Sequence, residues 1–216
     1  MNWVMEYPTT YEIGVDEAGR GCFYGPVVAA AVVLPLDLPE KEWTMVRDSK
    51  KLSEKKRNML ATFIKEHALY YGIGIASSKV IDDMNILKAS LKAMHRAIHE
   101  AYLMKQDKEM FEKIYVDGNH FIPYIVPNDD STIIPYECIE QGDDKRLSIA
   151  AASILAKTHR DNLIIELCET QPILKNYDIH KNKGYGTKKH RDALKAYGPV
   201  EGHRYTYRPV RESMLL

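Results

Sequence analysis

Cysteine is scarce in this chain of 216 residues: Cys22, Cys138 and Cys168 are odd in number, far apart, and form no C-x-x-C pair. That argues against a disulfide framework and a structural zinc site, and points to a reducing compartment. No apolar stretch reaches the roughly 18 residues that cross a bilayer. The opening MNWVMEYPTT lacks the basic segment followed by an apolar one that marks a secretory signal. The expectation is a cytoplasmic protein with no membrane partner. Internal repeats and low-complexity tracts are missing too, and so is net charge, since thirty Lys and Arg balance thirty Asp and Glu. A neutral total speaks weakly against a nucleic-acid binder, so any basic surface must be local.

What is present begins with hydrophobic patterning. Tyr11 to Asp16 alternates apolar and polar residues, the period of a half-buried strand, while Val27 to Leu34 is a continuous β-branched and Ala run that suits a strand covered on both faces. Ser53 is placed to cap a helix carrying Met59, Leu60, Phe63 and Ile64 on one face. Leu69 to Ala76 reads as a third strand. From Asn85, the series Leu87, Leu91, Met94, Ile98, Ala101 recurs at a helical period. Lys113 to Asp117 and Ile133 to Glu140 read as strands four and five. A long helix is expected from about Asp144 to Cys168 and a shorter one from about Thr187 to Tyr197. This order predicts an α/β layered fold on a mixed sheet. The expected boundary to a small C-terminal helical part lies within Glu169 to Lys183.

Acids recur where apolar elements stop. Asp16 and Glu17 end the first strand, Asp117 ends the fourth, and Asp143 and Asp144 open the long helix. Singly, each has an ordinary explanation as a solvated strand end, a turn or an N-cap. Jointly, carboxylates that converge repel one another unless cations lie between them. Oxygen ligands without His or Cys suit Mg²⁺ or Mn²⁺, and two such ions ~4 Å apart serve phosphodiester hydrolysis. The loop GRGCFYG leads into Pro26 and a strand, so no helix N-terminus is available for a dinucleotide pyrophosphate. From Lys175 to Arg208, nine bases face three acids, with Tyr177, Tyr185, Tyr197, Tyr205 and Tyr207 interleaved. Bases among aromatics suit a stacking nucleic-acid surface, and equally a solvated tail.

The segments GVDEAGRG with GPVVAAAVVLP, DSKKLSEKKR, MNIL, YVDGN, GDDKRLSIAAASILAKTHRD, NKGYGTKKH and GPVEGHRYTYRPV occur in the order found in ribonuclease HII, the type 2 ribonuclease H family, and the chain resembles that family from about Tyr11 to Val210. The resemblance implies a ribonuclease H-like fold, a five-stranded mixed sheet flanked by helices. The expected division is a catalytic domain over residues 1–170 and a small C-terminal helical substrate-binding segment over 171–216. It implies an endonuclease that cuts RNA in RNA–DNA hybrids and cuts 5′ of single ribonucleotides embedded in duplex DNA. A monomer holding two Mg²⁺ or Mn²⁺ ions with substrate is expected. The matching catalytic and metal-binding carboxylates would be Asp16, Glu17, Asp117 and Asp143; Asp143 is preferred over Asp144 because it follows Gly142 as in the motif. Gly19, Arg20 and Gly21 match a loop that reads the ribonucleotide 2′-hydroxyl, and Tyr185 a tyrosine that stacks on the adjoining sugar. Lys50, Asn85, Ser148, Lys157 and Thr187 fall in motifs that touch the nucleic-acid backbone.

Three features depart from the pattern. Cys22-Phe23-Tyr24 follows Gly-Arg-Gly where small residues are usual, Asn128 to Glu137 is longer than needed, and Arg211 to Leu216 carries no sliding-clamp signature. Two alternatives remain: another nuclease on this fold, such as a junction resolvase, or a hybrid-binding module without chemistry. Loss of one metal carboxylate would favour the latter, yet all four positions are acidic.

Overall fold

The structure, a computed structural model, describes residues 5–104, 111–126 and 132–215. Five strands among them form one mixed sheet. β1 (Glu12–Ala18) is central, antiparallel to β2 (Val27–Val33), which is antiparallel to β3 (Tyr70–Ala76). On the other side β1 runs parallel to β4 (Lys113–Asp117). Strands β5 (Tyr124–Ile125) and β6 (Ile133–Ile134) form a separate short ribbon, and β7 (Tyr136–Ile139) completes the main sheet parallel to β4. The order is β3-β2-β1-β4-β7.

One expectation needs correction here. Ile133 to Glu140 is not a single strand, because Pro135 splits it. Proline has no N–H to give a ladder, so the run pairs with Tyr124–Ile125 before it and with β4 after it. The long excursion expected from Asn128 lies partly outside the described residues.

The sheet is covered on both faces, and the alternation of β2 divides the core. Val27, Ala29, Ala31 and Val33 pack with Ile13 and Val15 against α3 (Ile86–Leu103), through Ala93, Met94, Ala97, Ile98 and Ala101. Ala30 and Val32 face α1 (Glu54–His67) and α4 (Leu147–Thr170), through Leu60, Ile64, Ala151 and Leu155. Ser53 caps α1 as expected, accepting from Lys56 N; Leu60, Phe63 and Ile64 are buried, whereas Met59 is exposed. A short helix, α2 (Ser78–Met84), precedes α3 under a Ser77 cap and was not expected.

β1 is not half-buried. Its polar positions also face protein, and the charge is paired: Glu12 accepts from Arg146 Nη1 at 2.6 Å and from Ser148 Oγ at 2.7 Å. The long helix starts three residues later than expected, with Arg146 at its N-cap, so Asp143 is not a capping residue. It lies in a 3-10 turn, Gly142–Asp144, between β7 and α4.

Beyond α4 come α5 (Ile179–Asn182), α6 (Lys188–Tyr197) and α7 (Arg208–Ser213). Their small core, Leu174, Tyr177, Ile179, Ala193, Leu194 and Val210, closes over Tyr24, Ile164 and Cys168. The C-terminal segment is thus docked on the loop after β1 and on the end of α4.

Candidate active site

Parallel pairing brings the acids together. Asp16 and Glu17 lie toward the carboxyl end of β1, Asp117 ends the adjacent β4, and Asp143 follows β7, which pairs with β4 through Asp117 and Ile139. Open α/β sheets place ligands at this end of their strands. A cavity of about 230 Å³ opens there, lined by Asp16, Glu17 and Asp117, by residues 18–21, and by Ser49, Lys50, Ser153, Lys157 and Tyr185.

The carboxylates are held at an electrostatic cost. Burial pushes Asp16 well above the usual carboxylate range, and the charges of Glu17 and Asp117 push it further. Burial raises Glu17, opposed by the Arg20 guanidinium, whose Nη1 lies 3.3 Å from Glu17 Oε1. Asp117 is raised by burial although Gly142 N donates to its Oδ1 at 2.7 Å. Asp143 is pushed up to about 6 by burial and then by Asp117. In all four the shift is upward, so the charged form is disfavoured and positive charge brought among them would be stabilised.

Two of their oxygens are short of partners. Glu17 Oε2 and Asp143 Oδ2 are buried without a hydrogen bond; the latter has Lys50 Nζ at 3.5 Å. Buried carboxylate oxygens without a hydrogen bond, in an all-oxygen donor set, fit a hard divalent cation. Among the described residues no three acidic, His or Cys side chains are already gathered as a metal cage. The fit lies in charge and in oxygens without a hydrogen bond.

Asp144 differs from its neighbour. Its carboxylate meets Lys51 Nζ at 2.6 Å near the surface, so it is already paired. The tertiary structure therefore separates two acids that the sequence left adjacent.

The basic residues fall into distinct places. Lys50, in a 3-10 turn over Ser49–Lys51, is largely exposed at the cavity; Asp48 caps the turn by accepting from Lys50 N. Lys157 Nζ reaches Asp161 Oδ1 at 2.8 Å and lies 5.3 Å from the centre of the Tyr185 ring. Ser148, by contrast, is wholly buried against Glu12 and does not line the cavity. Helical geometry explains this: nine residues at 100° each put Ser148 on the opposite side of α4 from Lys157. Ser153, four before Lys157, is the serine that faces the site, 3.0 Å from Ser49 Oγ. That spacing was available as a signal and was missed. Asn85 and Thr187 are exposed helix caps outside the cavity lining, accepting from Lys88 N and His190 N.

The loop after β1 is fixed from behind. Gly19 has φ +97°, and a Cβ there would lie 2.0 Å from Arg160 Nε, so both conformation and packing demand glycine. Phe23 and Tyr24, the unusual aromatics, join the loop to the C-terminal segment. Phe23 N donates to Gly184 O, Arg204 N donates to Phe23 O, and the Tyr24 ring meets His203 edge-on. Arg160 and Arg204 are fully buried and aimed at backbone carbonyls of this loop. Sequence reading passed over both, since arginines are usually exposed.

Solved structures define the class. Ribonuclease H2 from Pyrococcus horikoshii OT3 superposes with a TM-score of 0.67 at 24% identity, covering 94% of this chain and 96% of its own. Bst-RNase HIII, solved in complex with Mn²⁺, gives 0.75 at 18% identity, covering 96% of this chain and 70% of its own. The fold is ribonuclease H-like.

Sequence comparison then narrows the class. The Ribonuclease HII family model matches residues 13–210. Ribonuclease HII of Christiangramia forsetii is 47% identical over 201 residues, 93% of this chain and 92% of that protein; its counterpart in Parabacteroides distasonis is 46% identical over 205, at 95% and 94%. The chain belongs to the ribonuclease HII family and is a ribonuclease H, an endonuclease acting on the RNA of RNA–DNA hybrids.

Proposed function

We propose that this ribonuclease H also cuts on the 5′ side of a single ribonucleotide embedded in duplex DNA, leaving 3′-hydroxyl and 5′-phosphate ends. Asp16, Glu17, Asp117 and Asp143 would hold two Mg²⁺ or Mn²⁺ ions. When bound, such ions would make a coordinated water more acidic than bulk water, hence a better nucleophile, and supply positive charge for the leaving oxygen. Bst-RNase HIII, which shares the fold, was itself solved in complex with Mn²⁺.

One observation carries the reading. Asp16, Glu17 and Asp117 share a single cavity with Gly19, Gly21 and Tyr185. Gly21 has no positive φ, and a Cβ there would meet nothing within 4 Å. The fold itself therefore does not require glycine at 21. Close approach of a sugar supplies the reason: a bare backbone can meet a 2′-hydroxyl, the one group that distinguishes ribose from deoxyribose at a given position. Tyr185, 40% exposed at the cavity edge, offers a ring face to the neighbouring sugar. Lys50 and Lys157 supply charge for the flanking phosphates.

The test is an end-labelled duplex carrying one ribonucleotide. A single cut on its 5′ side is expected, with resistance when that nucleotide is 2′-deoxy or 2′-O-methyl. Equal cutting of ribo and deoxy duplexes would overturn the reading.

A further inference from the structure

The peptide joining Arg20 to Gly21 is gripped by residues nearly two hundred positions away. The Arg20 carbonyl accepts from Arg204 Nη1 at 2.8 Å and from Tyr207 Oη at 2.5 Å. Arg204 Nη1 also donates to Tyr207 Oη at 2.9 Å, closing a triangle of polar atoms. The same guanidinium spans Gly25 O at 3.0 Å and Pro26 O at 3.1 Å. Arg160 repeats the pattern from α4, donating to Pro26 O, Lys183 O and Tyr24 O.

Both guanidiniums are completely buried, and their bonds run to carbonyls and a phenol rather than to carboxylates. Burying a cation without a counter-charge is costly, and here carbonyl dipoles, the Tyr207 phenol and neighbouring ring faces offset it. An apolar side chain would pack a core with less expense. What it could not do is fix several carbonyl directions at once, for which a planar fork of five donors is suited.

We propose that Arg204 and Tyr207 are positioning residues for ribonucleotide recognition, setting the orientation of the Arg20–Gly21 peptide. The argument is elementary geometry. The described backbone has no cis peptide, so the Gly21 N–H points opposite to the Arg20 carbonyl. Two donors pull that carbonyl inward, and the Gly21 N–H is thereby turned away from them, where no side chain of its own obstructs it. Gly21 lines the carboxylate cavity. The loop is pre-set for a hydrogen bond to substrate before substrate arrives, and preorganised dipoles of this kind count most where a reaction must be aligned.

This rests on the reading that Gly21 meets the ribose, and the experiment separates the two. Tyr207→Phe removes one donor to the Arg20 carbonyl while keeping the ring that lies 5.2 Å from Arg204. Wild type and variant are assayed for kcat and KM on a single-ribonucleotide duplex and on a uniform RNA–DNA hybrid, with Tm measured alongside. The expected result is a fall of at least fivefold in kcat on the single-ribonucleotide duplex. KM and Tm should stay close to wild type, and hybrid cleavage should fall less than twofold. A uniform hybrid offers many registers, whereas one ribose offers only one. If wild type fails to distinguish ribose from deoxyribose, the functional reading is wrong. If wild type distinguishes them but the variant leaves the ratio of the two substrates unchanged, the positioning role is wrong. Should Tyr207→Phe be poorly folded, Arg204→Lys is read by the same ratio, because a point charge cannot span four acceptors.

Discussion

His190 Nε2 lies 3.0 Å from His203 Nε2, both rings buried where α6 meets the turn before α7. His190 Nδ1 faces the Tyr185 carbonyl and must donate to it, so its Nε2 accepts; His203 Nε2 then donates, and its Nδ1 accepts from Val200 N. Each ring is neutral in this arrangement, and a second proton on His190 would set its Nε2–H against that of His203, whereas one on His203 Nδ1 would meet both the Val200 N–H and the Val200 carbonyl. Burial holds His190 below its usual range and lowers His203 to about 4. Because the folded values are depressed, the stability they contribute is complete above pH 6.5 and is lost as pH falls toward 4. For His203 the amount is about 3 kcal/mol. Urea unfolding at pH 7 and pH 4.5 should show a smaller loss for His203→Gln than for wild type. A parallel loss would show that the pair does not titrate with folding.

Asp16→Asn and Asp117→Asn should each abolish cleavage, to below about one per cent of wild type, while hybrid affinity in EDTA stays within a few-fold. Carboxylates serve the chemistry, whereas phosphate contacts supply much of the affinity. Retention of more than a few per cent activity in Mg²⁺ by either variant contradicts the assignment.

The same acids should depress stability without metal. Asp16 and Asp143 are raised by burial and by neighbouring acids, so the stability they lend is lost as pH rises past their folded values, and removing one acid of the cluster relieves its repulsion of the others. Asp16→Asn should therefore raise Tm in EDTA by several degrees, at about 2–4 °C per kcal/mol for a chain of this size. Mg²⁺ or Mn²⁺ should raise Tm of wild type more than of the variant. Scanning calorimetry decides it, and an unchanged or lower Tm in EDTA counts against the electrostatic account.

Asp143→Asn and Asp144→Asn should differ sharply. The first removes a buried carboxylate with an oxygen that has no hydrogen bond and should cost at least a hundredfold in kcat. The second removes a surface pair with Lys51 and should cost less than threefold, since exposed pairs contribute little. Equal losses would remove the distinction drawn between them.

Tyr185→Ala should reduce cleavage of the single-ribonucleotide duplex more than that of a uniform hybrid, because stacking of about 1–3 kcal/mol is lost at the site that defines the junction. Comparable losses on both substrates would leave Tyr185 as a general contact only.

The sequence by itself determined the class and most of the chemistry. Val27 to Val33 had to be a strand buried on both faces, since an unbroken β-branched and Ala run has no side to show water. Asp16, Glu17, Asp117 and the adjacent Asp143 and Asp144 stood out as candidates because several apolar elements stop at acids, which would repel one another if those ends converged. Tertiary structure alone decided what depends on direction. Adjacent Asp143 and Asp144 are equivalent in sequence, yet the 3-10 turn buries one and leaves the other to Lys51. Motif membership marked Ser148, but the turn of α4 aims it at Glu12 and brings Ser153 to the site. Arg204 and Tyr207 reach Arg20 across 184 and 187 residues, a distance at which no local pattern operates. Periodicity reports which residues are buried; only the packing of one element on another fixes which atoms then meet.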